Sequence, residues 1–94
     1  MLVYYVTFYE VVPATAHLVQ EVYPRHRAYL DEFAKAGQVA MIGTFGNPLE
    51  EGSMAVFRSR EGAESFMAGD PFVLEGLAHP LPIREWNPIE FPAV

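Results

Sequence analysis

A histidine, an aspartate and two hydroxyl side chains are the residues of this sequence that could perform acid-base chemistry together. His26 lies in the stretch YPRHRAYLDEF, on the apolar side of a predicted helix, and Asp70 directly follows a second predicted helix. Thr44 and Ser53 flank a predicted turn between two strands. A carboxylate bonded to one imidazole nitrogen fixes the tautomer and makes the other nitrogen a better base. Such a base contributes about 10²–10⁴-fold to the rate of a proton-transfer reaction.

Composition and charge narrow the class of protein. A chain of 94 residues with 51% hydrophobic side chains predicts one packed domain over residues 1–94. Twelve acidic and six basic side chains give a net charge of −6, which argues against a nucleic-acid partner. Cysteine is absent, which excludes disulfides and zinc-thiolate sites and is consistent with a cytoplasmic location. The apolar start MLVYYVTF is too short to span a membrane and predicts a strand.

The hydrophobic periodicity predicts a strand, a helix, two strands, a second helix and a final strand. Pro24 lies within the first helical pattern, so that helix either kinks there or begins a fresh first turn. The segment DPFVLEGLAH predicts one further helical turn, and residues 88–94 predict an extended tail. The predicted elements, in chain order, are LVYYVTFYEV, the helix between Pro13 and Gly37, QVAMIGTF, the turn GNPLEEG, SMAVFRS, REGAESFMAG and PLPIREW.

This order predicts an α+β domain of the ferredoxin-like βαββαβ type, with a four-stranded antiparallel sheet and both helices on one face. The first strand is apolar on both sides: Tyr4, Val6 and Phe8 alternate with Tyr5 and Tyr9. The helices can cover only one side. We therefore predict a homodimer packed through the other sheet face, as in dimeric α+β barrels. The alternative is that the C-terminal tail folds back over this face.

The predicted topology brings the candidate residues to one end of the domain. Because both crossovers are right-handed, strands one and three lie antiparallel and so do the two helices. His26, near the start of the first helix, then lies close to Asp70, at the end of the second. Strand two exits at Thr44 and strand three begins at Ser53, both at this end. A cleft holding a small-molecule ligand is expected there.

Structural explanations remain open for the same residues. A histidine on an apolar stripe can be a core residue bonded to a carbonyl, and Asp70 before Pro71 is a good helix N-cap. Phe72 is explained as a core residue but is also a candidate for substrate binding. Arg25 most simply belongs to a solvated face, but it could hold an anionic substrate group at the rim of the cleft.

Two other kinds of site receive little support. A Ser-His-Asp triad would need a nucleophile motif such as G-x-S-x-G, and the sequence contains none. The three histidines show no spacing typical of metal ligands, so we expect neither a metal nor a cofactor.

At these residues the sequence resembles the YciI-like, or YCII-related, family. The resemblance covers nearly the whole chain and is carried by PRHRAYL, AGQVAMIGTFG, GSMAVF, AESFMAGDPFVLEGL and IREW. It implies a ferredoxin-like fold, a dimeric α+β barrel and an active site built on a His/Asp pair. By position, that pair is His26 and Asp70, with Ser53 as a third member.

Two departures from the family pattern fall at the predicted pocket rim. Tyr23 stands where relatives often carry arginine, and GTFG lacks the proline that usually follows the glycine of strand two. Three functions remain open: an enzyme performing proton transfer, lactone isomerisation, elimination or hydrolysis; a module that binds a small ligand without turnover; and an accessory dimeric domain.

Overall fold

The computed structural model of the protein describes residues 2–93, and within them the chain forms a mixed α/β fold. None of the helices in this range is long and apolar enough to cross a membrane. A 3-10 helix spans Pro13–Leu18. The strands are β1 (Tyr4–Val11), β2 (Val39–Thr44), β3 (Ser53–Phe57), β4 (Ala78–Pro80) and β5 (Arg84–Trp86), and the helices are α1 (Val19–Ala34), α2 (Pro48–Glu51), α3 (Arg60–Gly69) and α4 (Pro71–Leu74).

The strands form one antiparallel sheet in the order β2-β3-β1-β4, and β5 pairs with β1 further along the edge that β4 occupies. Strands β1 and β3 lie side by side, with Tyr9 opposite Ser53. This is the strand order and direction of the ferredoxin-like fold, and the predicted fold class is confirmed.

The final strand differs from its prediction. PLPIREW was expected to form one strand, but the structure divides this region into β4 and β5, with residues 81–83 between them. Pro80 and Pro82 lack the N–H group that a continuous strand would need for its ladder of hydrogen bonds. Leu81 still donates its N–H to the carbonyl of Phe8, at 2.8 Å, so the chain stays close to β1 across the break.

The helices pack over one side of the sheet around a core of buried aromatic and small side chains. Phe57 of β3 and Phe66 of α3 are completely buried, with ring centroids 5.5 Å apart. Helix α3 begins after Ser59, whose hydroxyl accepts the N–H of Gly62 at 2.9 Å. Pro24 lies inside α1 and not at a fresh first turn, because the helix has already begun at Val19.

The opposite side of the sheet remains open. It presents Tyr4, Val6 and Phe8 of β1, next to Met54 of β3 and Trp86 of β5. Large apolar side chains are exposed on it, among them Met41 (59% exposed) and Trp86 (43%). The tail does not bury its own apolar side chains here, since Ile89 and Phe91 are about four-fifths exposed.

Gly52 fixes the start of β3 next to β1. Its φ of +74° belongs to the left-handed region, and a Cβ atom placed there would lie 2.0 Å from the carbonyl oxygen of Tyr9. Gly76 has the same φ, but among residues 2–93 no atom beyond its chain neighbours lies within 4 Å of its Cβ position. The two glycines therefore share a positive φ, and only Gly52 adds a steric clash.

We predict that Gly52→Ala destabilises the protein more than Gly76→Ala. Both positions have a positive φ that strains an alanine by about 1–3 kcal/mol, and Gly52→Ala adds a clash that costs about 1–3 kcal/mol. Urea unfolding of both variants and the native protein measures the difference. Equal losses in the two variants would show that the approach of Gly52 to Tyr9 does not constrain this end of the sheet.

Candidate active site

A cleft of about 260 Å³ lies between the helices and the sheet, at the end of the domain where β2 ends and β3 begins. This volume is just below the ~300 Å³ at which pockets for drug-sized ligands begin. The polar and aromatic side chains around it come from both layers: Tyr9, Thr44 and Ser53 from the sheet, and His26, Asp70 and Phe72 from the helical side.

Asp70 is held in place by the backbone that follows it. It ends α3 and precedes Pro71, so its carboxylate caps α4: Oδ1 accepts the N–H of Phe72 at 3.0 Å. The residue is only 2% exposed. A buried carboxylate needs hydrogen-bond donors to offset its loss of water, and the cap supplies the first of them.

His26 supplies the second donor. Its Nδ1–H donates to Oδ1 of Asp70 at 2.7 Å, across 44 positions of sequence. A carboxylate oxygen can only accept, so an ionised Asp70 makes Nδ1 the donor and leaves Nε2 of the neutral ring unprotonated. Within residues 2–93 the structure gives Nε2 no hydrogen-bond partner. The pair thus combines an oriented imidazole with an available basic nitrogen.

Aromatic rings fix the plane of the imidazole. Phe72 stacks on His26 with centroids 4.2 Å apart and planes 13° from parallel. Tyr23 approaches both rings, at 6.0 Å from His26 and 6.4 Å from Phe72. Tyr23 stands where relatives often carry arginine, so an aromatic side chain forms this part of the rim.

The predicted site residues separate into two groups. His26, Asp70, Thr44, Ser53 and Phe72 all line the cleft. Arg25 instead lies outside the cleft lining and forms a bidentate pair with Glu75, including an Nη2–Oε1 contact of 2.9 Å. This hydrogen bonding lowers the pKa of Glu75. A role for Arg25 in substrate binding stays a prediction.

The cleft also contains residues that the sequence did not single out as site residues. Arg27 lines it and donates from Nε to Asp31 at 2.9 Å. Tyr9 lines it from β1, and burial raises the pKa of its hydroxyl, with a further contribution from the negative charge of Asp70. The apolar part of the lining includes Leu30 and Ile42. The alternation of side chains along β1 places Tyr9 on the helix side of the sheet. This pattern is the sequence signal that could have identified Tyr9 as a cleft residue.

A second depression, of about 300 Å³, lies on the open face of the sheet next to Trp86 and Met54. Arg84 and Glu85 are its charged lining residues, and it contains no histidine. Across residues 2–93, no group of three or more His, Asp or Glu side chains is arranged to hold a metal ion. The groups suited to proton transfer are therefore concentrated in the cleft of His26.

Comparison with known proteins agrees with this architecture. The family model of the YCII-related domain matches residues 3–87. The chain belongs to the YCII-related family. No functionally curated protein matches the sequence.

A solved structure supports the fold of this YCII-related chain. It is 5-chloro-2-hydroxyhydroquinone dehydrochlorinase (TftG) from Burkholderia phenoliruptrix AC1100, in complex with 2,5-dihydroxybenzoquinone. The two structures align with a TM-score of 0.69 over 89% of this chain and 93% of the other, at 20% sequence identity. At this identity the likeness establishes a shared fold.

Proposed function

We propose that the protein is a small-molecule enzyme in which His26 transfers a proton and Asp70 orients it. The observation that carries the proposal is the 2.7 Å hydrogen bond from Nδ1 of His26 to the buried Asp70, which leaves Nε2 available in the cleft. Isomerisation of a lactone, elimination and hydrolysis all require such a proton transfer. When Nε2 takes a proton, the imidazolium forms beside the carboxylate, which stabilises it.

The cleft favours a small, partly apolar substrate that carries oxygen atoms. Phe72 and Tyr23 offer aromatic surfaces, while Ser53 and Thr44 offer hydroxyl groups to substrate oxygens. The structural neighbour, a dehydrochlorinase in complex with a dihydroxybenzoquinone, supports a ring with oxygen substituents as the first class to test. A cytoplasmic location belongs to the same proposal.

His26→Gln should reduce proton transfer by about 10²–10⁴-fold, the usual contribution of a general acid or base. The measurement is exchange in D₂O of the CH₂ protons next to the carbonyl of small unsaturated lactones, followed by NMR, and 2,5-dihydroxybenzoquinone is tested for binding. Asp70→Asn should also slow the exchange, because the asparagine amide can donate to Nδ1 and favour the wrong tautomer.

His17→Gln is the matched control, since His17 is exposed at the end of the 3-10 helix, outside the cleft. Its exchange rate should equal that of the native protein. Exchange that is unaffected by His26→Gln would contradict the proposal. If the native protein binds these compounds without accelerating exchange, the alternative of a non-catalytic ligand-binding or accessory domain takes its place.

The proposal includes a homodimer formed through the open face of the sheet. Met41, Phe45 and Trp86 are 40–59% exposed on or beside this face. Monomeric proteins seldom leave large contiguous apolar patches in water. A second copy placed sheet to sheet would bury the same side chains on both partners, as a twofold axis requires.

We predict a native mass of twice the 10.5 kDa chain in light scattering over a range of protein concentrations. Met41→Glu should produce monomers, because it places charges on both sides of the contact. Leu74→Glu is the control: Leu74 is 66% exposed but belongs to α4, on the helical side of the molecule. A native mass of one chain at every concentration would contradict the dimer.

A further inference from the structure

Tyr9 has a buried hydroxyl group without a hydrogen-bond partner. The residue is 6% exposed, and its hydroxyl oxygen forms no hydrogen bond with any atom of residues 2–93. A buried donor without an acceptor costs free energy, so such groups in native proteins usually have a specific reason. Tyr29 shows the ordinary arrangement, because its hydroxyl donates to the carbonyl of Phe66 at 2.9 Å.

The position of Tyr9 connects this hydroxyl with the cleft. Tyr9 lines the cleft together with His26, Asp70 and Ser53. Its backbone is fixed on both sides, opposite Ser53 in β3 and Pro80 in β4. Gly52 lies against its carbonyl, which leaves the strand little freedom to shift. The side chain is therefore held in one place before any ligand arrives.

The electrostatic surroundings keep the hydroxyl protonated. Burial raises the pKa of Tyr9, and the nearby charge of Asp70 raises it further. The group is consequently a neutral donor at any pH at which the protein would work. A neutral donor in a site sheltered from water is well suited to an oxygen atom that gains negative charge during a reaction.

We propose that Tyr9 binds the substrate by donating a hydrogen bond to a carbonyl oxygen next to the carbon that loses its proton. This rests on the proposed function and narrows the substrate class to enolisable carbonyl compounds. His26 Nε2 takes the proton, the C–H electron pair forms a C=C bond, and the carbonyl π pair moves to the oxygen. The resulting enolate oxygen accepts the Tyr9 hydrogen bond, and the imidazolium later returns the proton to carbon or to a departing group.

The probe for this arrangement is 4-nitrophenol, and nitrobenzene is its matched partner without the hydroxyl group. The probe is measured at a pH where free 4-nitrophenol is neutral and colourless. When the bound molecule gives its proton to His26, the phenolate oxygen has the charge of the proposed enolate, and the yellow absorption that appears on binding reports the transfer. Tyr9→Phe should weaken binding of 4-nitrophenol by roughly 10- to 100-fold, the range for hydrogen bonds to charged groups. Its affinity for nitrobenzene should stay unchanged.

Tyr5→Phe is the control variant. Tyr5 lies on the same strand four positions earlier, near the opposite end of β1, where Arg60 lies 5.4 Å from its ring centroid. This variant should bind both probes as the native protein does. Urea unfolding of Tyr9→Phe should show no loss of stability, because the hydroxyl has no partner to lose. A clear loss of stability would show that the hydroxyl is bonded within the protein, which would overturn the proposal.

The binding results distinguish this inference from the proposed reaction. If Tyr9→Phe binds 4-nitrophenol with native affinity, or the native protein does not bind it at millimolar concentration, the role of Tyr9 is overturned. If binding depends on Tyr9 but His26→Gln leaves C–H exchange intact, the proposed reaction fails and the oxygen-binding role of Tyr9 survives. If 4-nitrophenol bound to His26→Gln loses the yellow absorption and its binding depends on Tyr9, the results support both the proposed reaction and the role of Tyr9.

Discussion

The hydrogen bond between His26 and Asp70 joins α1 to the junction of α3 and α4, and the geometry of the cleft depends on it. A single oxygen, Oδ1 of Asp70, accepts both the imidazole Nδ1–H and the backbone N–H of Phe72. The same contacts bring the Phe72 ring onto the imidazole, at 4.2 Å. The helix cap, which stabilises the fold, also sets the direction of the candidate base. The helix cap made by Asp70 and its proposed role in orienting His26 are therefore compatible within one arrangement.

The sheet provides the other half of the cleft. The register that places Tyr9 opposite Ser53 puts one phenolic and one aliphatic hydroxyl beneath the helical layer. Gly52 permits this close approach because any Cβ atom would collide with the Tyr9 carbonyl. In the proposed function, the helical side contributes the proton acceptor and the sheet contributes donors for substrate oxygens. A proton-transfer site needs both, because the negative charge that develops when a carbon loses its proton must be stabilised on another atom.

Much of this organisation follows from the sequence. The periodicities predict the βαββαβ order, and the handedness of its crossovers brings His26 and Asp70 to the same end of the domain. Other features depend on distant contacts that spacing cannot reveal. Arg25 and Arg27 flank the histidine equally in sequence, but Glu75 pairs with Arg25, and Arg27 lines the cleft. That the Tyr9 hydroxyl has no acceptor within residues 2–93 can be recognised only once the positions of all neighbouring acceptors in the fold are known. The final strand breaks at prolines, and whether a proline breaks a strand depends on whether its missing N–H would be needed for pairing with β1.

In the proposed site, Asp70 holds His26 with a protonated Nδ1 and leaves Nε2 unprotonated in the neutral ring. Imidazole ¹⁵N NMR of the native protein, recorded where His26 is neutral, measures the protonation state of each ring nitrogen directly. We predict a ¹⁵N shift typical of N–H for Nδ1 and a shift typical of an unprotonated nitrogen for Nε2. A protonated Nε2 in the neutral ring would contradict this arrangement, because the nitrogen proposed to face the substrate could then not accept a proton.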